Sequence, residues 1–317
     1  MKSAVLFIVF NRPITTQVVF DAIREARPPR LYVSADGPRL NVEGEHGACE
    51  VTRAIIKQVD WECDVKTLFR ESNLGCRDAV SGAIDWFFDN ELDGIILEDD
   101  VVPNSDFFDF CEYNLEKYKN DNRIMMISGS NHYSDQIHDS SYFFSKQFSI
   151  WGWATWRRAW NLYDVNMTMW EDRNTKKDIK YMFNGNYIWK HFENTFDSLY
   201  TTYLDTWDIQ WVFACVVNNG LCITPKVNLI TNIGLIGTHS NILTDSHFLD
   251  KYELGSSINY KDPKCFIVNS AYDEKFHILK NKPANRRYLA IKLLRKFHLY
   301  NSLRFFIRFF RKIVERI

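Results

Sequence analysis

Several features that would narrow the function quickly are scarce or missing. The seven cysteines (49, 63, 76, 111, 215, 222 and 265) are odd in number, and none belongs to a Cys-x-x-Cys pair. Such spacing argues against a disulfide framework and a structural zinc site, and fits a reducing compartment. No uncharged run approaches the roughly 20 apolar residues that span a bilayer. The apolar opening, residues 1–10, is cut off by Asn11-Arg12-Pro13 and has no small-residue cleavage site. It therefore reads as a first strand rather than a secretion signal. A net charge of -1 over 317 residues gives no overall drive toward nucleic acid. Neither a Gly-x-Gly-x-x-Gly after the first strand nor a Walker sequence is present, so no glycine-rich phosphate loop is available. No internal repeat or low-complexity linker divides the chain.

Aromatic residues are abundant, with ten Trp, fifteen Tyr and twenty-four Phe. They suit either a thick core or a set of stacking surfaces. The length allows one extended α/β body or two small domains. Apolar periodicity alternates between strand and helix along the first half. Strands are expected at residues 5–10, 31–34, 65–69, 95–97 and 124–129. Helices are expected at 15–27, 45–58, from Asn73-Leu74-Gly75 onward, and at 105–118. This alternation predicts a doubly wound, mostly parallel sheet with helices on both faces. Beyond residue 140 the pattern changes to short strands at 142–144 and 148–150. A mostly helical stretch at 175–203 comes next, then a helix from Trp207 to about Gly220 and a strand at 221–224.

The stretch from Asp93 to Pro103 organises the rest. Ile95, Ile96 and Leu97 read as a strand buried on both faces, and Glu98, Asp99 and Asp100 follow at its end. Ligands of open α/β sheets bind at the carboxyl ends of strands. Three adjacent carboxylates in a partly enclosed place repel one another unless a cation or donor-rich ligand offsets them. Oxygen ligands of this kind suit Mg²⁺ or Mn²⁺ held by one or two carboxylates plus substrate phosphates. A solvated acidic loop is the plainer alternative.

In this order, the motifs resemble the GT-A glycosyltransferases, most closely the N-acetylglucosaminyltransferase I type, over roughly residues 4–240. The first strand with Asn11-Arg12 is similar to that family's nucleotide-binding start. Val33-Ser34-Ala35-Asp36-Gly37 is similar to its second strand, and Leu97-Glu98-Asp99-Asp100 with Pro103 and Phe107 to its variant Asp-x-Asp motif. The resemblance implies a Rossmann-like body using a nucleotide diphosphate sugar, with Asp36 near the base of the nucleotide. It makes Asp100 the direct metal ligand, with Glu98 and Asp99 facing the nucleotide sugar. Trp207-Asp208, with Trp211 beyond, looks like the acceptor-side segment in which an Asp acts as base. One departure stands out: Gly75-Cys76-Arg77-Asp78 replaces a stretch where the family carries a His near the ribose, and Arg77 or Asp78 would have to substitute. The expected layout is a nucleotide-sugar-binding half at 1–130, an acceptor-binding half of the same body at 131–280, and a tail at 281–317.

Most of these residues carry a second reading. Asp208 fits a helix N-terminus as well as it fits a base, with Asp205 and Glu171 as rival bases. Arg12 after a strand fits phosphate or base contact, or a surface position. Asp36 before Gly-Pro is also a turn former. Gly152, between Trp151 and Trp153, would allow close backbone approach to the donor sugar. Trp153, Trp156 and Trp160 sit at helical spacing, which suits core or sugar stacking equally. His239 lies in a Gly-containing loop from which it would reach the diphosphate or the metal. Residues 285–317 hold ten Lys or Arg against Glu315 alone, interleaved with Phe, Leu and Ile. A basic amphipathic helix of this kind reads as an in-plane anchor on an anionic membrane, or as a helix packed on the body.

The residues and the resemblance together imply an inverting, Mn²⁺- or Mg²⁺-dependent glycosyltransferase, with UDP expected over GDP as the carrier. A glycan or lipid-linked glycan is the expected acceptor, in bacterial surface polysaccharide synthesis at the cytoplasmic face of the membrane. The bacterial setting rests only on the lack of a spanning or secretion segment. The alternatives are a sugar nucleotidylyltransferase, which would carry a Gly-rich loop after the first strand, and a non-catalytic carbohydrate-binding or membrane scaffold protein.

Overall fold

Strand β1 (Ala4–Val9) lies at the centre of the sheet, hydrogen-bonded in parallel to β2 (Arg30–Ala35) on one side and β4 (Asp93–Glu98) on the other. The computed structural model describes residues 1–133, 139–182, 186–202, 204–234 and 260–280. Beyond β2 lies β3 (Asp64–Phe69), also parallel. Beyond β4 come β8 (Trp153–Trp156), β6 (Ile124–Ser128), β9 (Leu221–Pro225) and β7 (Tyr142–Ser145), giving the order β3-β2-β1-β4-β8-β6-β9-β7. Strand β8 runs antiparallel to both β4 and β6, and β6 is parallel to β9. Six strands therefore share one direction, and only β7 and β8 oppose it. This is the expected α/β architecture, a mostly parallel central sheet flanked by helices.

Side-chain alternation along the strands divides the core in two. Val5, Phe7, Val9, Ile95 and Leu97 face helices α1 (Pro13–Ala26) and α4 (Ser105–Lys117), where Val19, Phe20, Ile23, Phe107 and Phe110 meet them. Ala4, Leu6 and Ile96 face the other side. There they meet Ile84 and Phe87 of α3 (Gly75–Asn90), Trp160 of α5 (Arg157–Trp160), and Trp211 of α8 (Asp208–Val217). A third cluster packs Trp170, Trp189, Phe196 and Phe213 between α8 and the helices α6 (Arg173–Met182) and α7 (Asn186–Thr202). Helix α2 (Glu45–Ala54) lies alongside α1, and α9 (Ser270–Lys280) docks near β7, where Ser145 Oγ donates to Asp273 Oδ1 at 2.6 Å. A short ribbon pairs β5 (Val101–Pro103) with β10 (Ile230–Asn232), antiparallel.

One expectation fails in the second half: residues 148–150 form no strand. The Trp run from 151, despite the helical spacing of its tryptophans, divides into β8 and the single turn α5. All four residues of β8 are buried, because strands lie on both of its sides and helices cover both faces. Burial on both faces removes the two-residue period by which a strand is recognised. Trp153, Trp156 and Trp160 are all buried core residues, with Trp153 stacked on Trp207 at 5.7 Å between ring centroids.

Candidate active site

Strand order reverses between β1 and β4, and this switch point is where a crevice opens at the carboxyl edge of such a sheet. Arg12 arrives there from β1 and Glu98-Asp99-Asp100 from β4. Arg12 is the residue before Pro13, which opens α1 with its φ already suited to a helix. Its guanidinium bridges two carboxylates. Nη1 donates to Asp100 Oδ2 at 2.9 Å and Nε to Asp99 Oδ2 at 3.3 Å, while Nη2 also holds Asp99 Oδ1. Asp99 is 3% exposed. Burial pushes its carboxyl up to about 6 against the pull of Arg12, and the two aspartates in turn hold the Arg12 pKa above its ordinary value despite burial.

Glu98 follows Ile96 onto the α3 and α8 side. Its carboxylate has no hydrogen bond among the described residues. Burial, then Asp100, Asp99 and Asp208, push it up to about 8. Cys76, in the first turn of α3, lies in the same crevice. Burial and the charges of Glu98, Asp205 and Asp208 push its thiol up to about 12. A helix N-terminus ordinarily favours a thiolate, and here burial together with the carboxylates outweighs it. Asp208 opens α8 and accepts a hydrogen bond from Thr206 Oγ1 at Oδ1, which leaves Oδ2 without a partner among the described residues. The crevice thus gathers Glu98, Asp100, Asp208 and Cys76, with Asp99 and Arg12 behind them.

Other expected site residues are engaged elsewhere. Asp36 is buried, and its carboxylate accepts from Gly37 N, Asn73 Nδ2 and Leu74 N at 2.9–3.1 Å, pinning the loop before α3 to the end of β2. Arg77 donates from Nε to its neighbour Asp78 at 2.8 Å. Gly152 has φ +59, and a Cβ there would meet Ile230 Cδ1 at 2.3 Å, so the close approach it allows is that of Ile230. Trp151 is half-exposed beside His132, 5.8 Å between ring centroids. Glu171 is exposed and accepts from Tyr200 Oη, with no contact to the acidic cluster. His239 and the basic tail lie outside the described residues, among which no helix is long and apolar enough to cross a membrane.

Three features escape the sequence reading. Asn11 Nδ2 donates to the buried Glu45 at 2.8 Å, and Arg39 closes the same carboxylate, folding residues 39–45 over the end of β1. The ribbon of β5 and β10 brings Ile233 N to the backbone oxygen of Asp100 at 2.8 Å and sets Gly234 against the Asp100 side chain. Asp205 bonds the backbone of α3 through Cys76 N and Arg77 N. Only the first could be suspected from a buried-looking polar pattern; the other two join residues more than 120 positions apart.

A divalent cation can be tested against this geometry. No group of three His, Cys, Asp or Glu side chains is arranged to hold a metal among the described residues. Glu98 has no bond, and Asp100 keeps Oδ1 outside its bond to Arg12. Two carboxylates fit an ion whose remaining ligands are phosphate oxygens and water.

No family model and no curated protein matches the chain. Among solved structures, apo mouse xyloside xylosyltransferase 1 is similar at 9% identity, with 68% of this chain and 81% of that one covered and a TM-score of 0.36. An apo UDP-glucose pyrophosphorylase is similar at 8% identity, 71% and 90% coverage and a TM-score of 0.35. HddC from Yersinia pseudotuberculosis is similar at 9% identity, 49% and 77% coverage and a TM-score of 0.30. Scores this low carry no functional weight, so a function for this chain has to rest on the residues of the crevice.

Proposed function

We propose that the chain is an inverting glycosyltransferase that takes a sugar from a nucleotide diphosphate sugar, with UDP the expected carrier, and places it on a hydroxyl of a glycan or lipid-linked glycan. The surplus of negative charge at the switch point carries this reading. Glu98, Asp99, Asp100 and Asp208 converge there, and among the described residues Arg12 is the cation bonded to the cluster. A half-buried surplus of this kind suits a divalent cation bound together with a diphosphate.

Asp100 and Glu98 would hold Mn²⁺ or Mg²⁺, with His239 a further expected ligand. When bound, such an ion neutralises the charge that develops on the leaving diphosphate. Arg12 fixes the acidic loop and shields Asp99, which thereby serves the guanidinium and through it the position of Asp100. Asp208, oriented by Thr206 through one oxygen, offers the other to the acceptor hydroxyl. It takes that proton as the oxygen attacks the anomeric carbon, the bond to the diphosphate breaks on the opposite side, and configuration inverts. A base so placed contributes about 10²–10⁴-fold. Asp36 shapes the base side of the crevice by holding residues 73–75.

Calorimetric titration with UDP and GDP, with and without Mn²⁺, tests this on the wild type and on Asp100→Asn. UDP binding that requires Mn²⁺ and is lost in the variant is expected, together with slow hydrolysis of the donor sugar in the absence of acceptor. Metal-independent binding would remove the acidic cluster as the organising element. Absence of nucleotide binding would overturn the enzyme reading in favour of a scaffold protein.

A further inference from the structure

The turn between α7 and α8 is fastened at both of its ends. Asp205 Oδ2 accepts from Cys76 N at 3.0 Å and Oδ1 from Arg77 N at 2.7 Å. These amides belong to the first turn of α3, where N–H groups have no partner within the helix. The local N-cap residue of α3, Leu74, supplies no side-chain bond, so a carboxylate from 129 positions away does the capping. Gly75 makes room for it. Its φ is +82, and a Cβ there would meet Asp205 Oδ2 at 2.8 Å and Oδ1 at 2.9 Å. At the other end of the turn, Trp207 is buried against Trp153, Thr206 holds Asp208, and Gln210 Nε2 donates to Thr206 O at 2.6 Å. Each oxygen of Asp205 thus accepts one backbone amide of α3.

We infer that Asp205 is a positioning residue: by clamping the turn 204–208 to the N-terminus of α3, it fixes Asp208 opposite Glu98 and joins the acceptor side of the crevice to the nucleotide side. The inference rests on the transferase reading above. It uses the helix N-terminus internally, so the diphosphate is left to the acidic cluster and its cation. A shift of Asp208 by about 1 Å is enough to lower turnover by about 10²-fold, with little effect on donor binding, because Glu98 and Asp100 stand on a different element.

The test compares Asp205→Ala, Asp205→Asn and Gly75→Ala with the wild type in steady-state transfer, UDP calorimetry and amide hydrogen exchange. Asp205→Ala is expected to lower kcat by about 10- to 100-fold, to leave donor KM and UDP affinity within about twofold, and to speed exchange in residues 74–80 and 204–212 together. Asp205→Asn, which keeps one accepting oxygen, recovers most of the rate. Gly75→Ala, which displaces the carboxylate, reproduces the loss, and the double variant is no worse than either single one. An unchanged kcat in Asp205→Ala, or losses that multiply in the double variant, would overturn the clamp. A wild type that binds no nucleotide would instead overturn the transferase reading, while the coupled exchange would still show whether the tie between α3 and the turn exists.

Discussion

Glu98→Gln should stabilise the ligand-free protein while abolishing its turnover, and the gain should appear only above acidic pH. Glu98 sits partly buried beside Asp99, Asp100 and Asp208 without a hydrogen bond among the described residues, and its carboxyl is pushed from 4.5 up to about 8. Because the folded value lies above the unfolded one, the folded chain keeps a proton between pH 4.5 and about 8 that the unfolded chain releases. Stability therefore falls as pH rises through that window, and the penalty is absent below it and complete above it. A displacement of this size corresponds to about 5 kcal/mol for a fully enclosed group. Partial solvent access to Glu98 roughly halves it, to about 2–3 kcal/mol. Gln is neutral throughout and escapes the penalty. For a chain of this size each kcal/mol moves Tm by about 2 °C, so the variant should melt about 4–6 °C higher at pH 8 and at the same temperature near pH 4.5. Calorimetric melting of EDTA-treated wild type and variant between pH 4.5 and 8.5 measures this directly. A Tm difference that does not vary with pH, or a variant that melts lower at pH 8, would refute the reasoning.

The same charges govern two further variants. Arg12→Ala strands Asp99 as a buried carboxylate without its partner and should destabilise by about 3–5 kcal/mol. In urea titrations the loss should be smaller at pH 5, where Asp99 takes up a proton, than at pH 8, and Arg12→Lys should recover only part of it because a single ammonium cannot replace the fork. Cys76, with its thiol raised from 9.0 to about 12, holds about a thousandfold less thiolate at neutral pH than an ordinary cysteine. Mass-spectrometric alkylation at pH 7.5 should therefore label the exposed Cys265 long before Cys76; early labelling of Cys76 would contradict its burial among carboxylates.

The first half of the fold was legible because its strands and helices alternate and each carries its own period. Ala4–Val9, Arg30–Ala35, Asp93–Glu98 and the helices between them fall within a residue or two of where the sequence places them. Strand β8 was not legible, since Trp153-Ala154-Thr155-Trp156 is buried on both faces and the spacing of its tryptophans imitates a helix. The site was legible as residue types and not as partnerships. Glu98, Asp99 and Asp100 form one acidic word in the sequence, yet strand alternation sends Glu98 toward α8 and Asp99 toward Arg12, giving adjacent carboxylates different electrostatic surroundings. Asp36 and Asp205 illustrate the opposite limit. Each has a carboxylate filled by backbone amides of the loop around residues 73–77, contacts that no local spacing encodes.

The ribbon that ties Ile230–Asn232 to Val101–Pro103 also sets a schedule for biosynthesis. Synthesis is vectorial, so Asp100 leaves the ribosome well before the strand that closes over it. Until residue 234 has emerged, the loop bearing Asp100 lacks both the amide of Ile233 and the cover of Gly234. A nascent chain with the whole β1–β4 half folded still has an unfinished acidic crevice. On the transferase reading, the crevice is therefore complete only once residue 234 has been made, and a shorter nascent chain would not hold donor sugar.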